Sequence, residues 1–367
     1  MKVIVLQDTL RGGGTERQSI QLAKALCNDG IDTQLWVGYA GSALDSLAQE
    51  TLASSLNFCS RRKSWALPAT LLKLRSTTAT IVCMGRWAHY VGALLPTKKS
   101  RKLIATIRTS RPLPRLYLSC IRKADHLIAN SEWAINYTRK LIPQDRLPEA
   151  SVVYNELSRP GLFKIDAEAK KEARSSFNVP EGKKILLNVS RFSKGKGQAD
   201  LVEMMQHRPA ENRQLWLVGD GPEKTSAQML SDQLGLREKI RFFDFTEDLE
   251  PFFASADIFV SASQLDSFPN AMLEAQAAGL PVVAYPTAGI PELLQADVTG
   301  LLAKSKTPEA LYEQIASLEQ SPARMTRFGM DARKRVLEHF SGGQQEAKFC
   351  RIIESLQSGD WLTLNGT

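Results

Sequence analysis

Several features that would mark a membrane-spanning, zinc-binding or metal-dependent protein are missing from this sequence of 367 residues. No run of 18 apolar residues occurs, so no membrane-spanning helix is predicted. The five cysteines are scattered without a C-x-x-C spacing, which favours a reducing compartment and argues against structural zinc. No D-x-D motif is present, so a divalent metal is not implied. No carboxylate pair of the glycosidase type can be placed either.

Positive charge is concentrated in the first part of the chain. Residues 1–160 contain 23 Lys and Arg against 11 Asp and Glu, a net charge of +12, whereas the remainder contains 24 and 28, a net charge of −4. The basic residues form three clusters: Arg61, Arg62 and Lys63; Lys98, Lys99, Arg101 and Lys102; and Arg108, Arg111 and Arg115. Apolar residues interleave with the first cluster: Trp65, Leu67, Leu71, Leu72 and Leu74. The pattern favours a helix on an anionic membrane surface or, alternatively, a solvated basic face. Nucleic acid is a weaker interpretation, because no recognisable binding module is present.

Length and the alternation of apolar runs with helical stretches predict two α/β domains with parallel sheets. Val3–Leu6 is expected to be the first strand, since the apolar stretch is too short for a signal peptide. Glycines 12–14 follow, and Thr15 with Gln18 resembles a capping box at a helix start. This loop is not a dinucleotide fingerprint, because Arg17 stands where the last glycine is required.

The stretch from Ala256 to Glu292 carries the strongest pattern in the chain. It predicts a buried strand, a polar loop, a short helix from Ala271 to Ala278 closed by Gly279, and a second strand. Asp266 lies in the loop and Glu274 lies eight positions later in the helix. The backbone amides at the helix start are expected to form an anion site, and those amides belong to Phe268, Asn270, Ala271 and Met272.

The run D-S-F-P-N-A-M-L-E-A-Q-A-A-G-L-P-V-V, which starts at Asp266, resembles a family motif. It is similar to the E-G-F-P-N-x-x-x-E-A-x-A-x-G-x-P-V-V run of the retaining GT-B glycosyltransferases, in particular family 4. The resemblance implies that Asp266 contacts hydroxyls of the donor sugar and that Glu274 contacts the nucleotide ribose. Asp266 replaces the usual Glu and Ser267 the usual Gly, which leaves the identity of the donor sugar open.

A second match lies after the predicted strand Lys184–Val189. The run from Ser190 to Gly197 keeps the family spacing of Arg191 followed five positions later by Lys196. By resemblance this pair binds the donor diphosphate, and fixed cations there would stabilise the growing charge of the leaving group. The alternative is a solvated basic turn. Further donor contacts expected from the resemblance are Ser190, Gly219, Phe245 and Thr246, the last two near the base.

Candidates in the first half are less specific. Gly13 and Gly14 are expected near the acceptor and the donor phosphate. His89 and Arg86 follow a predicted strand, Thr80–Met84, and Arg108 ends the next one. Because ligands gather at the carboxyl ends of parallel strands, we expect His89 as a catalytic candidate and the two arginines on the acceptor side. A lone histidine can equally be structural.

The sequence therefore predicts an α/β protein of GT-B fold, with two Rossmann-like doubly wound domains facing across a cleft. The acceptor domain is expected at 1–158 with a returning helix at 344–367, and the nucleotide-sugar domain at 159–343. The expected function is metal-independent hexosyl transfer without a cofactor, from a UDP-favoured sugar to a lipid-linked or polysaccharide acceptor. We expect it to act in the cytoplasm on the inner face of the membrane. Alternatives are a nucleotide-sugar epimerase or hydrolase, and a binding protein with weak catalysis.

Overall fold

The computed structural model describes residues 2–11, 13–207 and 212–358. The chain divides into two compact units. The first consists of Met1–Ser158 with Gly342–Thr367, and the second is Arg159–Ser341. The acceptor and donor roles expected for these two parts of the chain stay predictions.

Unit 1 is a parallel sheet of seven strands in the order β3-β2-β1-β4-β5-β6-β7. Its strands are β1 Lys2–Gln7, β2 Asp32–Tyr39, β3 Leu56–Ser60, β4 Thr80–Met84, β5 Lys102–Ile107, β6 His126–Ala129 and β7 Ala150–Val152. Its helices are α1 Gly14–Asn28, α2 Asp45–Leu52, α3 Lys63–Leu74, α4 Arg86–Leu94, α5 Arg115–Lys123, α6 Glu132–Leu141 and the returning α15 Gln344–Ser358. Short 3-10 turns lie at Ala53–Ser55 and Gln144–Arg146.

Unit 2 is a parallel sheet of six strands in the order β10-β9-β8-β11-β12-β13. Its strands are β8 Lys184–Val189, β9 Arg213–Val218, β10 Ile240–Phe243, β11 Ile258–Ser261, β12 Val282–Ala284 and β13 Gly300–Leu302. Its helices are α7 Ala167–Ser176, α8 Gln198–Met204, α9 Lys224–Gln233, α10 Glu250–Ser255, α11 Asn270–Ala277, α12 Ile290–Leu293, α13 Pro308–Glu319 and α14 Pro322–His339, with a 3-10 turn at Pro160–Lys164.

Both faces of the first sheet are covered, and the strand sequences show why. Side chains alternate between the faces of a strand, so a strand buried on both sides is apolar throughout. In β1, Val3 and Val5 join a core with α1 and α15, whereas Ile4 and Leu6 join a second core with α3, α4 and α5. All four side chains are fully buried.

The strand orders place a topological switch point in each unit. Counted within a unit, both sheets contain the order 3-2-1-4-5-6 of a doubly wound fold. The order reverses between β1 and β4 in unit 1 and between β8 and β11 in unit 2. Ligands of such sheets bind outside the carboxyl ends of the strands at this point. Two sheet edges are therefore the places to look for a site.

Several local predictions need correction. Helix α1 begins at Gly14 behind the cap residue Gly13, and no side chain caps it, so the capping box of Thr15 and Gln18 was wrong. The Gln18 amide instead donates to the carbonyl oxygen of Glu156 at 2.8 Å. The final helix ends at Ser358 within the described residues, and the rest of the range predicted for it, 359–367, lies outside them.

Membrane-spanning helices and metal clusters are both absent from the part of the chain that the structure describes. No helix there combines the length and the apolar character that crossing a bilayer demands. No group of three or more His, Cys, Asp or Glu side chains there is placed to hold a metal ion.

Candidate functional site

The loop after β8 is fixed against the end of β9 by backbone hydrogen bonds. The amide of Ser190 donates to the Val218 carbonyl at 3.1 Å, and the amide of Phe192 donates to the Asp220 carbonyl at 2.9 Å. Gly219 makes this approach possible: its φ is 141°, and a Cβ there would lie 2.3 Å from the Ser190 carbonyl oxygen. Close packing against the Ser190 carbonyl thus requires a glycine at position 219.

The same loop is joined to the loop after β11, across the switch point. The amide of Gln264 donates to the Gly195 carbonyl at 2.8 Å. Gly197 adopts φ 74°, and a Cβ there would lie 2.0 Å from the Ala262 carbonyl oxygen. Only glycine allows both the left-handed backbone and this contact. The two loops that carry the predicted site residues therefore form one structure.

That junction brings Lys196 and Asp266 into contact. The Lys196 Nζ lies 2.8 Å from both carboxylate oxygens of Asp266, and the side chains are 24% and 17% exposed. The lysine is therefore part of a half-buried ion pair, which differs from the fully solvated turn that the sequence left open. A primary ammonium carries three donors, so it can keep a carboxylate contact and also meet an oxyanion.

Arg191 is held differently. The Gln198 side-chain amide donates to the Arg191 carbonyl oxygen at 3.0 Å and to the Ser190 hydroxyl at 2.9 Å, which fixes the Arg191 carbonyl and the Ser190 side chain. The arginine itself is exposed. A fixed backbone with an exposed guanidinium is the arrangement that an incoming anion can use.

The helix that carries Glu274 starts with a close-packed turn. Phe268 is buried and meets Phe340 edge to face, with ring centroids 5.4 Å apart. Helix α11 begins at Asn270, one residue earlier than expected, and the amide of Met272 donates to the Pro269 carbonyl at 3.2 Å. Gly279 follows in the left-handed conformation, as expected for the cap. The contacts predicted for Phe268, Asn270 and Ala271 stay predictions, and the Met272 amide is engaged within the helix.

Glu274 is buried in the second turn of α11 and forms an ion pair with Arg159. The Arg159 Nε lies 3.2 Å from the Glu274 Oε1, and the Arg159 Nη1 donates to the carbonyl oxygen of Glu247. The loop with Glu247 also contains the predicted base contacts Phe245 and Thr246. The Phe245 amide donates to the Asp220 carboxylate at 2.9 Å. This hydrogen bond, together with Lys224, holds the pKa of Asp220 below its ordinary value.

In unit 1 the switch point is occupied by a half-buried acid. Asp8 follows β1, and its Oδ1 accepts the Ala88 amide at 3.1 Å, at the start of α4. Burial raises the pKa of Asp8, although the amides of Trp87 and Ala88 oppose this effect. Arg86, the first residue of α4, is exposed. Asp8 therefore occupies the helix start that a ligand anion could otherwise use.

Comparison with known proteins agrees with this architecture. Residues 169–335 match the family model described as Glycosyl transferases group 1. The structure of Anabaena HepE in complex with UDP and glucose superimposes with a TM-score of 0.86 at 20% identity, covering 97% of this chain and 100% of that one. That of WaaG, a glycosyltransferase involved in lipopolysaccharide biosynthesis, has a TM-score of 0.76 at 16% identity, covering 96% and 99%. The predicted fold class is confirmed.

This chain has the fold of the GT-B glycosyltransferases. Among curated relatives, N-acetyl-alpha-D-glucosaminyl L-malate synthase of Bacillus anthracis is 30% identical over 222 residues, which are 60% of this chain and 57% of that protein. The lipopolysaccharide core biosynthesis glycosyltransferase LpsD of Rhizobium meliloti is 30% identical over 169 residues, 46% and 49% of the two chains. The chain thus spans about half the length of these relatives.

The role predicted for His89 in this GT-B chain needs correction. His89 does not lie in a loop but in the first turn of α4, and it is fully buried. Its Nδ1 lies 2.5 Å from the Gly85 carbonyl oxygen, and its Nε2 accepts the Thr106 amide at 3.2 Å. The ring stacks on Tyr117 with centroids 3.6 Å apart. Both ring nitrogens are used by the backbone, so His89 is a structural residue.

The remaining unit 1 candidates are placed as follows. Arg108 follows β5, and its Nη2 bonds the Asn155 side-chain oxygen and, at 3.4 Å, that of Gln18. Burial lowers the pKa of Arg108 to about 10. Gly13 caps α1 and Gly14 begins it. The acceptor-side roles of Arg86 and Arg108, and those of the two glycines, stay predictions.

Sequence reasoning missed two residues that the GT-B fold brings into play. Arg159 belongs to no motif, and its pairing with Glu274 joins positions 115 residues apart. Asp8 carries no motif, and only its position directly after the first strand, at the switch point, could have indicated it. Both are recognised by where the fold places them.

Proposed function

We propose that this protein is a retaining, metal-independent hexosyltransferase, of the kind grouped in family 4. In this proposal it moves a sugar from a nucleotide diphosphate, with UDP favoured, to a lipid-linked, lipopolysaccharide or polysaccharide acceptor. One observation carries the proposal: the loops after β8 and β11 meet at the switch point of unit 2 and hold Lys196 against Asp266 at 2.8 Å. The lipopolysaccharide relatives and the UDP-bound neighbour support the choice of substrates.

The proposed roles follow from charge and position. Arg191 and Lys196 bind the diphosphate and stabilise the negative charge that grows on it as the glycosidic bond breaks. Glu274 accepts hydrogen bonds from the ribose hydroxyls, and Asp266 contacts the donor sugar. Because Asp266 is paired with Lys196, the carboxylate proposed to contact the donor sugar and the ammonium proposed to bind the diphosphate are fixed relative to each other. The nucleotide sugar is a substrate, and the proposal needs no cofactor.

The chemical step is a substitution at the anomeric carbon. The bond from that carbon to the diphosphate oxygen breaks, and a bond to the acceptor oxygen forms on the same face of the sugar. The proton of the acceptor hydroxyl passes to the departing phosphate oxygen. The protein contributes positioning and charge stabilisation, and His89, buried and bonded on both nitrogens, takes no part.

A turnover assay with a matched control tests this proposal. Nucleoside diphosphate release is measured from a panel of UDP, GDP and ADP sugars in the presence of a chelator, with and without candidate acceptors. Lys196→Ala should lower turnover by on the order of a hundredfold, since it removes a fixed cation at the leaving group. Lys194→Ala, at an exposed lysine of the same loop, should leave turnover unchanged. Equal turnover in wild type and Lys196→Ala would contradict the assignment, and release without acceptor would indicate a hydrolase.

We also propose that unit 1 lies against the anionic inner face of the cell membrane. Residues 51–124 contain 15 Lys and Arg and no Asp or Glu. On α3, Trp65 and Leu72 are 62% and 73% exposed and lie seven positions apart, on one face. The other leucines of the predicted apolar pattern do not share this face: Leu67, Leu71 and Leu74 pack into the core. Apolar side chains within a cationic region suit a bilayer surface.

Co-sedimentation with vesicles tests the membrane proposal. The protein should bind vesicles of phosphatidylglycerol and phosphatidylcholine but not phosphatidylcholine alone, and added salt should weaken binding. A Trp65→Ser/Leu72→Ser variant should lose most of this binding. The control is Met330→Ser/Leu337→Ser, which replaces exposed apolar residues at the same spacing on α14 of unit 2. Equal binding by the α3 variant and wild type would contradict the proposal.

A further inference from the structure

Arg159 makes two contacts that no sequence motif indicates. It is the first residue of unit 2 and directly precedes the turn Pro160–Lys164. Its Nε lies 3.2 Å from the Glu274 Oε1, and its Nη1 donates to the Glu247 carbonyl oxygen. The two side chains of the ion pair are 16% and 7% exposed, so water screens this contact far less than a surface pair.

The two contacts join different parts of the proposed nucleotide site. Glu274 is the proposed ribose acid on α11. Glu247 belongs to the loop after β10, which contains Phe245 and Thr246, the proposed base contacts. The other end of that loop is fixed because the Phe245 amide donates to Asp220 at 2.9 Å. Arg159 is therefore a side chain that connects the proposed ribose acid Glu274 to the proposed base loop.

The electrostatics give Arg159 a further effect. A buried carboxylate is costly unless it is paired with a cation and hydrogen-bonded. A second anion, the donor diphosphate, would also be repelled by an unpaired Glu274 carboxylate nearby. A guanidinium stays charged at any working pH and holds a carboxylate in a fixed direction through its planar donors. Arg159 thus lowers the repulsion and orients the acid at the same time.

We propose that Arg159 is a positioning residue for the donor nucleotide, which acts by holding Glu274 and the 244–249 loop in their binding arrangement. This inference rests on the proposed function. It predicts that loss of Arg159 weakens nucleotide binding through Glu274. The defect should appear mainly in the KM for the donor, with a smaller change in kcat, because the arginine does not contact the reacting atoms.

A double-mutant cycle on full-length protein tests the inference. The dissociation constant is measured by calorimetry for whichever of UDP, GDP and ADP binds wild type most tightly. Arg159→Ala and Glu274→Gln should each weaken binding about tenfold, which is the loss of one charged contact. Because both act through one pair, the double variant should be no weaker than the weaker single variant. Arg159→Lys, which keeps the charge, should recover part of the affinity.

A matched control separates this effect from simple destabilisation. Arg213→Ala breaks the ion pair with Glu319, whose side chains are 15% and 14% exposed, at the opposite end of β9 from the site. It should leave nucleotide affinity unchanged. The inference is overturned if folded Arg159→Ala binds within twofold of wild type, or if the two single effects multiply in the double variant. If wild type binds none of the three nucleotides, the proposed function falls with it. If Lys196→Ala loses binding and Arg159→Ala does not, only the present inference falls.

Discussion

At the scale of single residues, the fold shows which charged side chains of the site form ion pairs, and the motifs do not. The sequence marks Lys196 and Asp266 as separate motif positions 70 residues apart. Nothing in their spacing says that Nζ and carboxylate touch, because that contact depends on β8 and β11 being neighbours in the sheet. For the pair of Arg159 and Glu274, the motif marks only Glu274. The fold supplies its partner.

His89 shows the opposite case, in which position suggests a function that burial removes. It follows a strand of the first sheet, as a site residue should. Gly85, with φ 92°, starts helix α4 at once, so His89 falls within the first turn and packs under Tyr117. The sequence does not reveal how soon a helix starts after a strand. Here the early start of α4 places His89 in the core instead of in a loop.

The buried imidazole makes stability depend on pH. Burial lowers the pKa of His89 from 6.5 to about 4. The unfolded chain therefore binds the proton more tightly, and the stabilisation present above pH 6.5 is lost as the pH falls towards 4. Over that range wild type should lose up to about 3 kcal/mol more unfolding free energy than His89→Gln. Urea unfolding at several pH values measures this. A gap between the two proteins that does not narrow on acidification would contradict the burial of the ring.

At the scale of elements, the turns that support the site depend on glycine for two separable reasons. Gly197 and Gly182 both adopt φ 74°, but only Gly197 is in close contact, with the Ala262 carbonyl. Gly182→Ala should cost about 1 kcal/mol of unfolding free energy from backbone strain alone. Gly197→Ala should cost several times more and also lower nucleotide affinity, because the loops after β8 and β11 must separate. If Gly182→Ala and Gly197→Ala lost equal stability in thermal unfolding, the loops after β8 and β11 would not be in close contact at Gly197.

The Glu156 side chain fastens helix α15 within unit 1. The Glu156 carboxylate accepts the amides of Gly343 and Glu346 at the start of α15, and Gln18 binds the backbone of Glu156 on both sides. A negative group suits this end of a helix. The sequence gives no sign of this contact. The structure shows that Glu156 caps the start of α15 through the amide of Gly343, 187 residues later.

Glu346, an acid in the first turn of α15 near Glu156, should destabilise the fold at high pH. Burial, Glu156 and Asp29 raise the pKa of Glu346 from 4.5 to about 7, and Lys24 opposes them. The folded state therefore binds the proton more tightly, and the stabilisation present below pH 4.5 is lost as the pH rises through 7. Glu346→Gln should be more stable than wild type by about 1 kcal/mol at pH 8, allowing for partial exposure, and equal to it at pH 4. Glu354→Gln, at an exposed position of α15, is the control, and a pH-independent difference would contradict the account.

At the scale of the whole molecule, the sequence predicted the architecture well because strand and helix alternation leaves few choices. Near-continuous apolar strands indicated parallel sheets covered on both faces, and the motif after β11 indicated the GT-B fold. What could not be predicted depends on contacts across long stretches of chain. These are the hydrogen bonds of Glu156 to the start of α15, the ion pair of Arg159 with Glu274, and which residues of α3 are exposed rather than packed in the core.

Nucleotide binding is the property of the whole molecule that tests the central claim most directly. The claim is that the joined loops of unit 2 bind the diphosphate of a nucleotide sugar through Lys196. Calorimetric titration with UDP, GDP and ADP in the presence of a chelator measures it. We predict that at least one of them binds wild type and Lys194→Ala equally and binds Lys196→Ala at least tenfold more weakly. Binding of no nucleoside diphosphate, or equal binding by Lys196→Ala, would contradict the account.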